Sequence, residues 1–500
     1  MKQSLQAAWE RQRAIWFFNV RGDLIAGAVV ALALIPEAIA FSIVAGVDPS
    51  VGLYASFTMA VVIAFAGGRP GMISAATGAM ALLAVDLVGE HGLQYLLVAT
   101  LLTGVIQMFF AWAKLARYMM FIPRTVMVGF VNALGILIFL SQVHYLTDGG
   151  TVMWTMVAVG LALLYTLPHI PGYPKLLPAP LVVIVLLTAV VWWQGLDTLQ
   201  VGDMGELPSG LPVFLLPDVP WTLETLQIVF PYSLALAVVG LLESLLTASI
   251  VDDLTDTPSG KNVEAQGQGI ANIVTGLFGG MASCAMIGQS MINIQSGGLG
   301  RLSTLASGLF LLFFILVLGD VVAIIPMASL VAVMIMVSIA TFDWDSLKTL
   351  HKLPRTDATV LVVTVATVVY THDLSMGVLA GVLLSAIFFA RKMAKAIEVD
   401  SSLSEDGIRT YTVRGQLFFV AADKFIDSFD YREPIHNVVL DLRNVSLWDS
   451  SAVDAIDKVV GKFRRRGMEV EVMSPSGSSG ELHDRLALHD KEGVEMGGGH

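Results

Sequence analysis

Two carboxylates in apolar surroundings stand out as the residues able to do chemistry. Glu37 lies in LALIPEAIAFS and Glu243 in VGLLESLLTAS, neither with a basic residue beside it. A charge at the centre of a membrane helix costs roughly 2.5–3.5 kcal/mol on insertion scales, so an acid at that depth points to function. Each acid is trailed by an interruption rich in small residues. After Glu37 comes Ser74-Ala75-Ala76-Thr77-Gly78-Ala79; after Glu243 come Met281-Ala282-Ser283-Cys284 and then Gly288-Gln289-Ser290. In lipid a broken helix is tolerated only where its freed backbone groups are buried in protein or line a cavity. A half-helix that starts there aims unpaired N–H groups and a positive dipole end at that space. An acid beside an anion-attracting helix end suits a cation and an anion held together, which is a transport site.

Thr77, Gly78 and Ala79 in the first interruption and Gly288, Gln289 and Ser290 in the second are therefore the candidate anion ligands. On the cation side stand Glu243, Thr247 one turn later, and Glu37. Oxygen ligands at Glu243 and Thr247 suit Na⁺, whereas a buried carboxyl suits a proton, and the sequence leaves both open. Thr247 has the alternative of bonding back to its own helix. Pro36, directly before Glu37, removes a backbone donor and frees a carbonyl at that depth. For Glu37, function and structural pairing both stay open. Asp86 falls near the outer end of its span and is expected to be solvated.

The elements that must position these residues follow from composition. The 500-residue chain is 55% hydrophobic and only 14% charged, well below the roughly 25% usual for soluble domains, so most of it belongs in a bilayer. Fourteen apolar stretches are predicted to span: 23–45, 51–67, 75–89, 93–113, 122–143, 151–167, 176–194, 226–251, 263–280, 287–299, 302–319, 322–340, 356–371 and 375–393. With a cytoplasmic N-terminus, Lys and Arg fall at the even-numbered exits (Arg69, Lys114, Lys175, Lys261, Arg301, Arg391 among them), and the odd exits carry none. A twelve-span reading, in which 75–89 and 287–299 do not cross fully, keeps the same orientation. The acids and breaks recur at matched positions seven spans apart, so the halves 22–195 and 225–396 read as repeats inserted in opposite senses, the plan of many secondary transporters. The loop 195–225 bridges the halves outside the cell. Residues 1–21 read as a cytoplasmic lead-in without a signal peptide's apolar core.

Charges and short alternating segments return after about Lys395, marking residues 397–500 as a soluble α/β tail. Leu417 to Ala421, Val438 to Leu442 and Met468 to Met473 are predicted strands; Ala452 to Phe463 and Glu481 to Leu486 are predicted helices. Cys284 is the single cysteine, which excludes an internal disulfide and a cysteine metal site. The acids of Val251 to Thr257 lack the spacing and glycine of a Ca²⁺ loop, and solvated caps for the next helix are expected there. No P-loop, dinucleotide fingerprint or G-x-S-x-G appears. The chain is expected to be no enzyme, to need no cofactor beyond a coupling Na⁺ or H⁺, and to bind no nucleic acid.

At LIPEAIAFSIVAGVDPSVGLYASF (34–57), ISAATGAM (73–80), GLLESLLTASIVDD (240–253), GQGIANIVTGLFGGM (267–281) and QSGGLGRLS (295–303) the chain resembles the SulP family of inorganic anion transporters, to which prestin, pendrin and the cyanobacterial bicarbonate transporters belong. VVLDLRNVSLWDSSAVDAI (438–456) resembles the core of a STAS domain. The resemblance implies an all-α membrane domain of seven plus seven inverted spans, its core (spans 1–4 and 8–11) moving as an elevator against a gate that often dimerises. It implies an anion cradled at Thr77 and Gly288 to Ser290, with Glu243 and Thr247 where related bacterial members place a cation-coupling acid and hydroxyl. Ser450 and Ser451 match a serine phosphorylated in soluble relatives of the tail, although N-capping of the helix from Ala452 accounts for them as well. Many members have Gln at Glu37 and Tyr at Phe41, and animal members have Arg at Gln289. Two acids without an arginine favour cation-coupled symport of sulfate or bicarbonate at the bacterial inner membrane, with both termini inside. The alternatives are an anion exchanger or channel, a dicarboxylate or nucleobase transporter on the same fold, and a membrane sensor whose tail recruits a cytoplasmic protein.

Overall fold

The structure is a computed structural model that describes residues 15–115, 122–171, 178–394 and 397–489. Most of the expected N-terminal lead-in, residues 1–14, lies outside it. The chain divides into two compact units, Met1–Val382 and Leu383–His500.

Among the described residues, fourteen helices stand where the fourteen spans are expected. The first seven are α1 (Val20–Val44), α2 (Pro49–Ala66), α3 (Gly78–His91), α4 (Leu93–Trp112), α5 (Arg124–Asp148), α6 (Gly150–Thr166) and α7 (Ala179–Gln194). The second seven are α8 (Leu223–Thr255), α9 (Lys261–Leu277), α10 (Ile287–Gln295), α11 (Arg301–Ala323), α12 (Met327–Thr341), α13 (Arg355–Thr371) and α14 (Leu374–Ala394). Nine of the described helical stretches are long and apolar enough to cross a membrane on their own. At 1.5 Å per residue α3 is about 21 Å long and α10 about 14 Å, short of a ~30 Å hydrocarbon core. Each is a half-helix, preceded by a short extended stretch. Pro36 sits inside α1 without breaking it.

The packing repeats with a shift of seven elements. α1 packs on α11 and α8 on α4; α4 packs on α9 and α11 on α2; α3 packs on α8 and α10 on α1; α5 packs on α13 and α12 on α6. The equivalent stretches β1 (Ser74–Ala75) and β2 (Cys284–Ala285) pair antiparallel, Ser74 opposite Ala285 and Ala75 opposite Cys284. Equivalent segments that run antiparallel reverse the direction of one repeat relative to the other. Helices α1–α4 and α8–α11 form the core, and α5–α7 with α12–α14 the gate. Two glycines set the closest approach inside the core: a Cβ on Gly104 of α4 would meet the Gly269 carbonyl of α9 at 2.5 Å, and one on Gly269 would meet the Gly104 carbonyl at 2.7 Å. The 195–225 segment is tied down near the α11–α12 turn, where Val201 N donates to Ile325 O and Met327 N to Leu199 O.

Of the acids at the end of α8, Asp253 and Asp256 are exposed, as expected, and Asp252 is the exception. Asp252 is no solvated cap: it pairs with Arg69 at 3.2 Å and Lys261 at 2.7 Å. The N-cap of α9 is Gly260, which makes no side-chain cap bond.

The tail is a four-stranded sheet in the order β3 (Glu398–Leu403), β4 (Ile408–Leu417), β5 (Asn437–Leu447), β6 (Glu469–Met473), with β3 antiparallel to β4 and the other two pairs parallel. Parallel neighbours need crossovers, supplied by α15 (Ala422–Asp427) and α16 (Ser450–Arg464); α17 (Ser478–Leu486) follows. The predicted strand 417–421 is corrected. Leu417 ends β4, and Phe418 to Ala421 form a turn closed by Ala421 N to Phe418 O at 2.8 Å. Leu417, Phe418 and Ala421 are all buried, so the run carries a strand's hydrophobicity without its backbone.

Candidate transport site

The β1–β2 pair brings the starts of α3 and α10 side by side. Met286 N donates to Ile73 O at 2.9 Å, and Ile73 N to the Ser290 hydroxyl of α10 at 3.0 Å. Buried backbone groups must all find partners, and side chains supply them here. Asn293 of α10 donates to Gly71 O at 2.8 Å, and Thr304 of α11 to Met72 O at 3.0 Å. Ser56 accepts from Ala76 N at 3.2 Å. In the second interruption Asn272 bonds both Ser283 N (2.9 Å) and Ser283 O (3.0 Å), and Ser244 accepts from Ala285 N at 3.0 Å.

Thr77 is the N-cap of α3, its hydroxyl accepting from Met80 N at 3.4 Å. The same hydroxyl lies 3.2 Å from Cys284 Sγ, and that thiol donates to Glu243 Oε2 at 3.0 Å. Glu243, midway along α8, is half-buried and has no Lys or Arg partner among the described residues. Glu37 of α1 is half-buried too, and its carboxylate bonds the Gln289 side chain of α10. Gly78 and Ala79 are buried in the first turn of α3; a Cβ on Gly78 would meet Phe41 at 2.9 Å. Gly288 is exposed, with nothing within 4 Å of where its Cβ would stand, so open space faces the start of α10. Glu37, Thr77, Glu243, Cys284 and Gln289 thus converge from both repeats on that start. Two expected ligands have other engagements: Thr247 donates to Glu243 O at 2.8 Å within its own helix, and Ser290 holds Ile73.

A third acid escaped the sequence reading. Glu264 of α9 is buried, and its carboxylate accepts from Gly68 N (2.7 Å), Arg69 N (2.9 Å) and Gln268 (2.9 Å). Gln268 also donates to Ser74 at 2.8 Å, and Asn272 to Gln107 at 3.0 Å. Polar residues at 264, 268 and 272, on one face at i, i+4 and i+8, were the available signal. Glu264 is saturated with donors, whereas Glu37 and Glu243 have one side-chain partner each. That difference separates the structural acid from the candidate coupling acids.

In the tail, the cap of α16 is Asp449, which accepts from Ala452 N at 3.0 Å. Ser450 and Ser451 are the first two helical residues and not the cap. Asp86 is exposed, as expected.

Residues 20–169 and 150–364 match the Sulfate permease family, and residues 402–496 match the STAS domain. The chain belongs to the sulfate permease family. YbaR of Bacillus subtilis (strain 168), whose name refers to sulfate transport, is 56% identical over 472 residues, which cover 94% of this chain and 98% of YbaR. The bicarbonate transporter BicA of Picosynechococcus sp. is 29% identical, with 95% of this chain and 92% of BicA covered. The solved transmembrane domain of a cyanobacterial BicA matches with a TM-score of 0.65 at 28% identity, covering 74% of this chain and 98% of that one. Murine Slc26a9, an anion transporter solved inward-facing, matches in fold with a TM-score of 0.78 at 18% identity, covering 94% and 87%. Sulfate permease family members are membrane anion transporters, so this chain is a membrane protein of anion transport and not an enzyme.

Proposed function

We propose that the protein is a secondary transporter that moves a small inorganic anion, sulfate or bicarbonate, together with Na⁺ or H⁺. The observation that carries this is Glu243: a half-buried carboxylate in mid-helix, held by one thiol, beside the start of the α10 half-helix. No described Lys or Arg partners either Glu37 or Glu243, so an anion at the helix ends meets two uncompensated carboxylates. At an effective dielectric of about 20, like charges 4 Å apart repel by about 4 kcal/mol. A proton or Na⁺ that neutralises Glu243 removes that repulsion, and this makes cation binding a condition of anion binding.

Gly288, Gln289 and Ser290 with Thr77, Gly78 and Ala79 frame the anion, and Glu243, Thr247 and Glu37 answer for the cation. The division into core and gate supports elevator-type alternating access, and the apolar outer faces of the gate suit a homodimer. The names of YbaR and BicA support sulfate and bicarbonate respectively.

The test is uptake of labelled sulfate and bicarbonate into proteoliposomes under an imposed Na⁺ or proton gradient. Wild-type vesicles accumulate one of the anions; Glu243→Gln vesicles do not respond to the gradient. Undiminished gradient-driven accumulation in Glu243→Gln overturns the reading.

A further inference from the structure

We infer that Cys284 is the coupling element between the two halves of the site, passing the state of Glu243 to Thr77. The inference rests on the symport reading above and gives it a mechanism.

The directions of the bonds are forced by chemistry. An ionised carboxylate is acceptor-only, so at the 3.0 Å contact the Cys284 S–H must donate to Glu243 Oε2. The sulfur is then the acceptor at its 3.2 Å contact, and the Thr77 O–H is the donor. Thr77 keeps lone pairs for Met80 N, which it caps. The chain therefore runs one way, from Thr77 O–H to Cys284 S–H to the carboxylate, and the Thr77 proton is turned toward the sulfur. Cys284 is wholly buried and Thr77 nearly so.

Neutralising Glu243 reverses the chain. A protonated Glu243 donates to the sulfur; a Na⁺ on the carboxylate draws the sulfur's lone pairs and repels the S–H. In both cases the thiol hydrogen turns to Thr77 Oγ1, and the Thr77 O–H is released as a free donor at the start of α3. The anion gains a hydrogen-bond donor only when the cation is in place. No covalent bond changes, and the one proton that enters stays on Glu243. Thr77 belongs to the first repeat and Glu243 to the second, so this single thiol joins the repeats at the point where their broken helices meet. Cys284 is a positioning residue: it acts through Thr77 and Glu243.

The test is the coupling factor, the ratio of apparent anion affinities at saturating and at zero coupling cation, measured on the full-length protein by binding. Coupling of usual size gives roughly 5–150-fold in the wild type. In Cys284→Ala the factor falls several-fold, to what the direct repulsion between Glu243 and the anion alone sustains, while anion binding at saturating cation persists. Cys284→Ser, whose hydroxyl donates and accepts in the same place, restores it. A second measurement needs no change at the cysteine. Because the chain has one cysteine, its infrared S–H stretching band reports Cys284 alone, and adding the coupling cation shifts that band in the wild type but not in Glu243→Gln. A Cys284→Ala protein with the wild-type coupling factor, or an S–H band that the cation does not move, overturns the relay and leaves symport standing. A wild type without cation-dependent anion affinity overturns both.

Discussion

The Ser290 hydroxyl, carried by the half-helix of the second repeat, stands 3.0 Å from the Ile73 amide in the interruption of the first. Its presence near the site has two explanations, ligand and brace, and they separate experimentally. Ser290→Ala leaves a buried N–H without a partner, which costs about 1–3 kcal/mol. As a brace, Ser290 is expected to lower the melting temperature even in anion-free buffer when replaced, and to weaken anion affinity as a consequence. Unchanged melting without anion, combined with weakened binding, would return Ser290 to the role of ligand alone.

The fourteen helices were legible because each apolar run ends in glycine, proline or charge, and a bilayer allows few other structures. The acids and breaks were legible because polar residues are rare at that depth. What stayed hidden was pairing across long distances in the chain. That Ser290 serves Ile73, or that Cys284 lies between Thr77 and Glu243, depends on which strand meets which, and no local pattern in the sequence records it. In the tail, β3 (EVDSSL) escaped notice because an exposed edge strand has no buried face to pattern, and Phe418 to Ala421 misled because a turn of apolar residues, buried at both ends, reads like a strand.

Asn272 is expected to be the least replaceable of the polar residues on α9. Its amide satisfies Ser283 N, Ser283 O and Gln107 together, and Ser283 is the residue directly before β2. Asn272→Leu matches the volume and abandons three buried polar groups, each worth about 1–3 kcal/mol. The variant should give little monodisperse protein, and what is recovered should melt below Ser290→Ala. A melting temperature equal to wild type would refute the account of this interruption as held from α9.

The tail carries a pH dependence of its own. Asp457 of α16 is nearly buried, and burial works to raise its pKa; the His489 ring and the N–H groups of Leu488 (3.0 Å) and His489 (3.1 Å) outweigh that and hold it below the ordinary aspartate value. A group whose folded pKa is depressed lends stability that is complete above its unfolded pKa and is lost as pH falls through the folded one. Asp457→Asn keeps the shape but turns an amide toward donors, at a cost of about 1–3 kcal/mol near neutral pH. The gap between wild type and variant should therefore be flat from neutral pH down to about pH 5 and close below about pH 4. Hydrogen exchange of α16 and α17 peptides in the full-length protein, corrected for intrinsic rates, measures the gap. Were it to persist undiminished at pH 3, the carboxylate's charge would not be what holds Leu488 and His489 against α16.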